Sequence, residues 1–227
     1  MICIIPIRSK SKGVKNKNIK DLNGKPLVVH SIIAAKKSNI FEKIIIATDS
    51  NYYIDFLKKK IKDLKISKEN IFFYKRSERS STDKAPTEIV IFEILQKFKN
   101  SKYTYLIQAT SPFLKSTDII KSFTKLKKKK FDTMFSAYAF KKFIWEKKNI
   151  LKPLNYNLFK RPMRQNINKH YIENGAFYVF NNQKFLTKKN RLFGKIGCYE
   201  MSFDDSLDID THDDFLIAEK IMKNEKK

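Results

Sequence analysis

A basic loop and an acidic pair stand near opposite ends of the sequence. The loop, residues 8–19, follows an apolar run and combines Arg, Lys, Ser and Asn side chains with Gly13. A triphosphate is bound by cationic side chains together with free backbone N–H groups, and a loop of this composition supplies both. The loop contains neither the G-x-x-x-x-G-K-S/T nor the G-x-G-x-x-G pattern. These residues alone therefore leave phosphate binding and a solvated basic loop both open.

The acidic pair is Asp208 and Asp210, within the segment 206–211. Residues two apart in an extended chain face the same side, so both carboxylates are expected to point one way. Leu207 and Ile209 would then point into the core. Two carboxylates on one face suit Mg²⁺, which completes its octahedral shell with water and phosphate oxygens. The alternative is an acidic cap on the helix that follows.

Three further polar segments adjoin predicted strands. They are residues 76–87, rich in Arg, Ser and Thr; residues 108–112, Gln-Ala-Thr-Ser-Pro; and residues 171–178, which contain Asn-Gly-Ala. Taken one at a time, each is typical of an ordinary loop. Their value as evidence lies in their order along the chain.

The elements that position these segments alternate between short apolar runs and amphipathic stretches. The predicted strands are residues 2–7, 43–48, 71–74, 103–107, 133–138, 176–180 and 198–201. The predicted helices are residues 26–37, 54–64, 87–98, 116–129 and 212–223. Ser116 or Thr117 is expected to cap the fourth helix. This alternation predicts an α/β fold with a doubly wound, mainly parallel sheet, in which ligands bind outside the carboxyl ends of the strands.

The segment 140–171 departs from this alternation. It is polar and aromatic, contains Pro153 and Pro162, and shows no clear period. A lid, a dimerisation arm and a poorly ordered excursion all stay open. The whole chain, residues 1–227, is otherwise typical of a single domain.

The composition is strongly basic, since 48 Lys and Arg against 23 Asp and Glu give a formal charge of +25. Nucleic-acid-binding proteins often show such a balance. Here the excess is mostly Lys and accompanies many Ile, Asn, Phe and Tyr residues, which favours a compositional bias. A positive field still attracts a polyanionic nucleotide. No apolar run approaches the ~20 residues of a membrane span, and the strand-like start and two isolated cysteines predict a cytoplasmic protein.

The order and spacing of the polar segments resemble the acylneuraminate cytidylyltransferase family, the CMP-sialic acid synthetases and their relatives for legionaminic and pseudaminic acids. The resemblance covers nearly the whole chain. The matching residues are Arg8, Ser11, Lys12, Gly13, Lys17 and Asn18; Arg76, Asp83, Ala85 and Thr87; and the segments 108–112, 174–178 and 206–210. The family's opening loop usually has two glycines where this chain has Ser9 and Lys10. Glu173 precedes Asn-Gly where some members have Arg.

The resemblance implies a Rossmann-like nucleotidyltransferase fold, Mg²⁺ as cofactor, and a homodimer with residues 140–171 as its arm. It implies CTP and an acidic nine-carbon sugar (a nonulosonate) as substrates, without a nucleic-acid or membrane partner. The implied nucleotide ligands are Arg8, Ser11, Lys12, Lys17, Asn18, Arg76, Ala85 and Thr87. The implied sugar ligands are Gln108, Arg164, Asn174 and Tyr178. The implied catalytic residues are Arg8, Lys17, Asp208 and Asp210, the last two also holding the metal.

The reaction that the resemblance implies is attack of the sugar's anomeric hydroxyl on the α-phosphorus of CTP, with release of pyrophosphate. Positioning and charge neutralisation carry such a transfer. Three alternatives stay open: activation of the eight-carbon 3-deoxy-octulosonate, a glycosyltransferase with a metal-binding Asp-x-Asp pair, and a basic nucleic-acid-binding module. The last would bind with a steep salt dependence and require neither Mg²⁺ nor CTP.

Overall fold

The computed structural model describes residues 1–9 and 13–224, which alternate between strands and helices. The strands are β1 (Ile2–Ile7), β2 (Asp21–Leu22), β3 (Lys25–Pro26), β4 (Lys43–Thr48), β5 (Ile71–Lys75), β6 (Tyr103–Ile107), β7 (Thr133–Phe140), β8 (Trp145–Lys147), β9 (Leu151–Pro153), β10 (His170–Asn181) and β11 (Ile196–Met201). The α-helices are α1 (Leu27–Ser38), α2 (Asn51–Asp63), α3 (Glu78–Ser81), α4 (Thr87–Lys97), α5 (Ser116–Lys129), α6 (Asn182–Lys188) and α7 (His212–Asn224). Short 3₁₀ turns occur at Lys17–Ile19, Arg164–Asn166 and Asp204–Ser206.

Seven of these strands form one sheet in the order β11–β7–β10–β6–β1–β4–β5. β1 pairs in parallel with β4 and β6, β4 with β5, and β7 with β11. Within this sheet as described, β10 alone runs antiparallel to its neighbours β6 and β7. The predicted α/β fold with a mainly parallel sheet is confirmed. The antiparallel strand adds a feature that the apolar pattern of residues 176–180 did not reveal.

Both faces of the sheet are covered by helices, which explains the continuous apolar runs of its central strands. Alternate residues of β1 contribute to two separate core clusters. The cluster on one face includes side chains from α1, α2 and α5, and the cluster on the other includes side chains from α4 and α6. Tyr105 and Phe177, from the neighbouring strands β6 and β10, are fully buried with ring centroids 5.6 Å apart.

A third, smaller core cluster fixes the C-terminal segment. Ile209 and Phe215 pack with Leu22, Leu27 and other apolar residues, and Ile209 is fully buried. Leu207 is partly buried against the same cluster. The prediction that Leu207 and Ile209 point into the core is therefore confirmed. This packing holds the segment with the acidic pair against β2 and the start of α1.

One predicted helix cap is wrong. The structure starts α5 at Ser116, so Lys115 occupies the cap position in place of Ser116 or Thr117. The Asp118 carboxylate accepts a hydrogen bond from the Lys115 backbone N–H at 3.1 Å. An acidic residue in the first turn thus satisfies an exposed N–H group, and neither hydroxyl is needed at the cap.

The predicted excursion, residues 140–171, begins and ends inside strands, because β7 runs to Phe140 and β10 starts at His170. The segment 141–169 between these two strands is called the arm here. The strands β8 and β9 form a hairpin within it. Its exposed large apolar side chains are Trp145, Ile150, Leu151, Leu154, Leu158, Phe159 and Met163.

None of the helices that the structure describes is both long and apolar enough to cross a membrane.

Candidate active site

A cavity of about 450 Å³ opens at the carboxyl ends of β1, β5 and β6. This edge of a parallel sheet is where ligands are expected to bind. The lining residues are Pro6, Arg8, Gly13, Lys17, Asn18, Arg76, Asp83, Ala85, Thr87, Gln108, Thr110 and Asp210. Most of the site residues predicted from the sequence therefore meet in one place, although they come from segments distant along the chain.

Arg8, at the start of the opening loop, presents its guanidinium to the cavity. The Arg8 guanidinium donates to the Thr82 carbonyl oxygen at 3.0 Å and lies 3.8 Å from the Asp83 carboxylate. The Asn18 side-chain amide donates to the Arg8 carbonyl oxygen at 2.9 Å, which ties the two sides of the loop together. Two predicted phosphate ligands lie outside the described residues: Ser11 and Lys12.

Lys17 joins the opening loop to the acidic segment from the other end of the chain. Its Nζ atom donates to the Ile209 carbonyl oxygen at 2.7 Å and to Asp210 Oδ1 at 2.9 Å. Gly13 approaches the same segment so closely that a Cβ atom would lie 2.3 Å from the Asp210 carbonyl oxygen. The basic loop and the acidic pair therefore share one crevice, and glycine is required where their backbones meet.

Arg76, at the end of β5, is only 7% exposed although it is charged. Its guanidinium donates to the carbonyl oxygen of Ser80 in α3, while its Nε atom is buried and has no partner in the described part of the chain. Burial and the positive charge of Arg8 lower the pKa of Arg76. An anion between the two guanidinium groups would relieve both effects. Ala85 and Thr87 line the adjoining wall.

The acidic pair differs in exposure: Asp210 is exposed at the cavity, whereas Asp208 is partly buried. The Ile209 N–H donates to the Thr110 carbonyl oxygen at 2.9 Å, which fixes the pair beside the end of β6. Burial raises the pKa of Asp208. A hydrogen bond from Thr110 lowers this pKa, and the negative charge of Asp210 raises it further. Asp208 Oδ1 is buried and has no hydrogen-bond partner among the residues that the structure describes.

These two carboxylates fit Mg²⁺ by number and by chemistry. Across residues 1–9 and 13–224, no group of three or more His, Cys, Asp and Glu side chains could hold a metal ion. Mg²⁺ differs from Zn²⁺ in this respect, because it usually takes one or two carboxylates and keeps water and phosphate oxygens as its other ligands. The unpartnered Asp208 oxygen beside a second carboxylate is the feature that supports the fit, since such a buried charge is costly without a cation.

The predicted sugar ligands are divided among different places. Gln108 lines the cavity, and its backbone N–H donates to the Ala176 carbonyl oxygen at 3.1 Å. Asn174 is buried, and its side-chain amide donates to Ser206 Oγ at 2.9 Å. Arg164 is exposed on the arm, away from the cavity lining. The sugar-binding roles of these residues stay predictions.

Tyr178 lines a second cavity, of about 440 Å³, that includes Glu88 and Pro86 next to the wall formed by Ala85 and Thr87. Its hydroxyl donates to Glu173 at 2.8 Å. The Arg191 guanidinium lies 4.8 Å from the Tyr178 ring centroid and pairs with Glu88 at 2.9 Å. This pairing could not be predicted from the sequence, because Arg191 stands in a polar stretch without a recognisable motif.

Two functional candidates were missed from the sequence although a signal was present. Thr110 lies inside the polar segment 108–112, directly after β6, and contacts Asp208. Asp49 follows β4, whose carboxyl end lies beside that of β1 in the sheet. Position at the carboxyl end of a central parallel strand would have selected both residues.

A model of the cytidylyltransferase family matches residues 2–226. The chain belongs to the cytidylyltransferase family. Within it, the N-acylneuraminate cytidylyltransferase of Streptococcus agalactiae serotype V is 30% identical over 95% of this chain and 51% of its own length. The CMP-N,N'-diacetyllegionaminic acid synthase of Legionella pneumophila is 28% identical over 98% of this chain and 96% of its own length. The chain thus spans about half the length of the streptococcal relative.

The family's fold is also seen in a solved structure. The 4-diphosphocytidyl-2C-methyl-D-erythritol synthase of Anaerococcus prevotii matches 98% of this chain and 97% of its own, with a TM-score of 0.69. Sequence identity is 14%, so this likeness concerns the fold alone.

Replacing the partly buried carboxylate tests the electrostatic description of the acidic pair. Because burial raises the pKa of Asp208, its ionised form destabilises the folded state as pH rises through that pKa. We expect Asp208→Asn to raise the free energy of unfolding of the metal-free protein at neutral pH by about 1 kcal/mol. Urea denaturation with EDTA present measures this change. The exposed Asp204 provides a matched control, Asp204→Asn, and equal stability of the two variants would contradict the description.

Proposed function

We propose that this chain couples CTP to an acidic nine-carbon sugar of the nonulosonate class, forming a CMP-sugar and pyrophosphate. The observation that carries the proposal is the single cavity in which Arg8, Lys17 and Arg76 meet Asp210, with the partly buried Asp208 beside Thr110 of the same lining. Family membership supplies the cytidylyl chemistry. The names of the streptococcal and legionellal relatives, for acylneuraminate and diacetyllegionaminic acid, favour a nine-carbon acid as acceptor.

In the proposed complex, cationic groups hold the triphosphate on one side of the cavity. Arg8 and Lys17 would contact phosphate oxygens, with Asn18 close to the nucleotide. The buried Arg76, with Ala85 and Thr87, would line the cytidine pocket. Arg76 suits this place because its desolvated guanidinium keeps an unpartnered N–H group for a polar ligand atom.

The proposed reaction forms a bond between the sugar's anomeric oxygen and the α-phosphorus of CTP while the bond to pyrophosphate breaks. The protein's contribution is to align the two substrates and to stabilise charge on the departing oxygens. Arg8 and Lys17 carry this charge stabilisation. Lys17 is held in place by the Ile209 carbonyl oxygen at 2.7 Å, so its ammonium needs little rearrangement when charge develops.

Asp208 and Asp210 would hold the Mg²⁺ ion. When bound, Mg²⁺ would neutralise charge on the phosphate oxygens of CTP. The two residues complement each other, because Asp208 offers a buried, unpartnered oxygen and Asp210 an exposed carboxylate facing the cavity. Lys17 forms an ion pair with Asp210 at 2.9 Å, and this contact orients the Asp210 carboxylate.

Acceptor choice provides the direct test of the proposed function. Purified protein with CTP and Mg²⁺ is offered N-acetylneuraminic, legionaminic, pseudaminic and 3-deoxy-octulosonic acids in turn, and pyrophosphate release is measured. We expect kcat/KM to be highest for one of the three nine-carbon acids. Preference for the eight-carbon acid would overturn the proposed substrate class. Absence of release with every acceptor, together with salt-sensitive nucleic-acid binding, would favour the basic-module alternative.

The metal assignment is tested by Asp210→Ala. Loss of one charge-stabilising group from a preorganised site costs about 10²–10³ in turnover, so kcat should fall by that factor. Circular dichroism is expected to show an unchanged fold, because the Asp210 side chain is largely exposed, at 73%. Asp213→Ala, a change of the same kind at an exposed residue of α7, is the control and should retain activity. Near-wild-type turnover of Asp210→Ala at ordinary Mg²⁺ would remove the assignment.

We further propose a cytoplasmic homodimer in which the arm reaches the partner subunit. Its apolar side chains, including Phe159 at 95% exposure, lack cover within the described part of one chain. The exposed Arg164 on the same arm, which does not line the cavity of its own chain, could then approach the cavity of a partner. Both cysteines are free, as expected of a reducing compartment.

Light scattering tests the dimer. We expect a mass of about twice the 26.9 kDa of the chain, and Phe159→Asp should shift the protein toward the monomer because it places a charge in an apolar contact. Tyr52→Asp, at another exposed aromatic residue far from the arm in sequence, is the control. A monomeric wild-type protein at micromolar concentration would contradict the proposal.

A further inference from the structure

The turn between β4 and α2 is hydrogen-bonded to the start of the opening loop, at Ser9. The Asp49 carboxylate accepts two hydrogen bonds from Ser9, one from the backbone N–H at 2.8 Å and one from the hydroxyl at 2.9 Å. The two bonds use different oxygens of the carboxylate, so they fix both the position and the orientation of Ser9. Asp49 is itself fixed, because its carbonyl oxygen accepts a hydrogen bond from Lys75 Nζ at 2.6 Å.

Tyr53, in the first turn of α2, contacts residues at both ends of the opening loop. Its hydroxyl is 3.3 Å from the Ser9 carbonyl oxygen and 3.2 Å from Asn16 Oδ1, and it can donate to either acceptor. The residue is 1% exposed and packs in the main core cluster. Burial and the nearby Asp49 carboxylate raise the pKa of Tyr53 to about 12, so the hydroxyl keeps its proton at neutral pH.

The residues that this turn holds stand next to the cations of the cavity. Ser9 directly follows Arg8, and Asn16 directly precedes Lys17. Asn16 has a left-handed backbone with φ of 53° and starts the 3₁₀ turn that carries Lys17. Hydrogen bonds to Ser9 and Asn16 therefore restrain the backbone next to each of the two cations, although neither Asp49 nor Tyr53 lines the cavity.

The serine at position 9 makes this arrangement more specific than a glycine would. A glycine would keep the backbone hydrogen bond to Asp49 and lose the hydroxyl bond, and it would also admit backbone conformations that serine rarely adopts. The hydroxyl bond from Ser9 to Asp49 thus gives this chain a side-chain restraint on its opening loop.

We propose that Asp49 and Tyr53 are positioning residues for the nucleotide, which act by fixing Ser9 and Asn16 and thereby the neighbouring Arg8 and Lys17. The inference rests on the proposed use of the cavity by CTP. It assigns a function to the turn after β4, whose hydrogen bonds to the opening loop, among the described residues, go to Ser9 and Asn16. The Asp49 charge also acts on Arg76, whose pKa it raises, so Tyr53→Phe is the variant that isolates the effect of the hydrogen bonds. The effect is expected on binding of CTP, with little effect on the acceptor sugar.

Tyr53→Phe is the first test, because it removes only the hydroxyl and keeps the buried ring. One neutral hydrogen bond corresponds to a change of about 2-fold to 10-fold in an equilibrium constant, and we expect the CTP dissociation constant and KM for CTP to rise by about 5-fold. KM for the sugar and kcat should stay within 2-fold, a range of about the measurement error. Tyr52→Phe, the same change at the preceding residue, which is 64% exposed, should leave all four values unchanged.

Asp49→Asn is the second test and is compared with Asp55→Asn at an exposed position of α2. Loss of a charged acceptor is expected to raise KM for CTP by about 10-fold. Ser9→Gly should reproduce part of this rise, because it removes one of the two hydrogen bonds. Combining Ser9→Gly with Asp49→Asn should give less than the product of the single effects, since both act on the same pair of groups.

The outcomes separate this inference from the proposed function. A merely structural role would lower the thermal midpoint and the apparent kcat while leaving the CTP dissociation constant, measured by titration calorimetry, unchanged in the folded fraction. That result, or CTP binding by Tyr53→Phe as tight as that of Tyr52→Phe, would overturn the inference and leave the proposed function intact. Failure of the wild-type protein to bind CTP at all would overturn both.

Discussion

The site depends on bringing opposite charges from the two ends of the chain into contact without neutralising them completely. Lys17 meets the segment 209–210 through one carbonyl oxygen and one carboxylate, at 2.7 Å and 2.9 Å. On the cationic side, Arg8 and Arg76 lie close enough for one to lower the pKa of the other. On the acidic side, one Asp208 oxygen has no partner among the described residues. Both imbalances are of the kind that a metal–nucleotide complex, with a cation and several anionic oxygens, would correct.

The fold supplies the stiffness that such an imbalance needs. Helices cover both faces of the sheet, and the third core cluster buries Ile209 between the two aspartates. Because Ile209 is fully buried, the backbone on either side of it cannot turn to relieve repulsion between the carboxylates. Arg76 is held in a similar way, because the carbonyl oxygen of Ser80 in the short helix α3 accepts a hydrogen bond from its guanidinium in place of water. The packing of apolar residues therefore keeps the two carboxylates close to each other, and the two guanidinium groups close to each other, despite their like charges.

Much of this arrangement could be predicted from the sequence, because parallel sheets place the ends of their strands along one edge. The strand bounds 2–7, 43–48 and 103–107 agree with the structure, as expected for largely apolar, buried runs. From these bounds and the resemblance, the grouping of Arg8, Arg76 and Gln108 follows. The two carboxylates were also expected on one side of an extended segment, and the structure gives each of them a different burial.

Other features depend on tertiary contacts that no local pattern encodes. The antiparallel direction of β10 follows from the path of the arm, and the cap of α5 from a carboxylate in its first turn. Asp49 and Tyr53 act on residues about 40 positions earlier, at separations of 40 and 44 for their contacts with Ser9. Such long-range hydrogen bonds become visible only once the sheet order is known. The contact of Arg191 with Tyr178 is a further example, since it joins a loop after α6 to β10.

The arm leaves and re-enters the sheet between two strands that are hydrogen-bonded neighbours, with Phe140 opposite His170. Its base is therefore closed like that of a hairpin, and insertions or deletions beyond this pair leave the register of the sheet untouched. The arm can therefore vary in length as a module without disturbing the sheet. Because β7 runs parallel to β6 and β1, the arm emerges at the same edge of the sheet as the cavity. A change in the arm thus alters the surroundings of the cavity while the strands that carry its lining stay as they are.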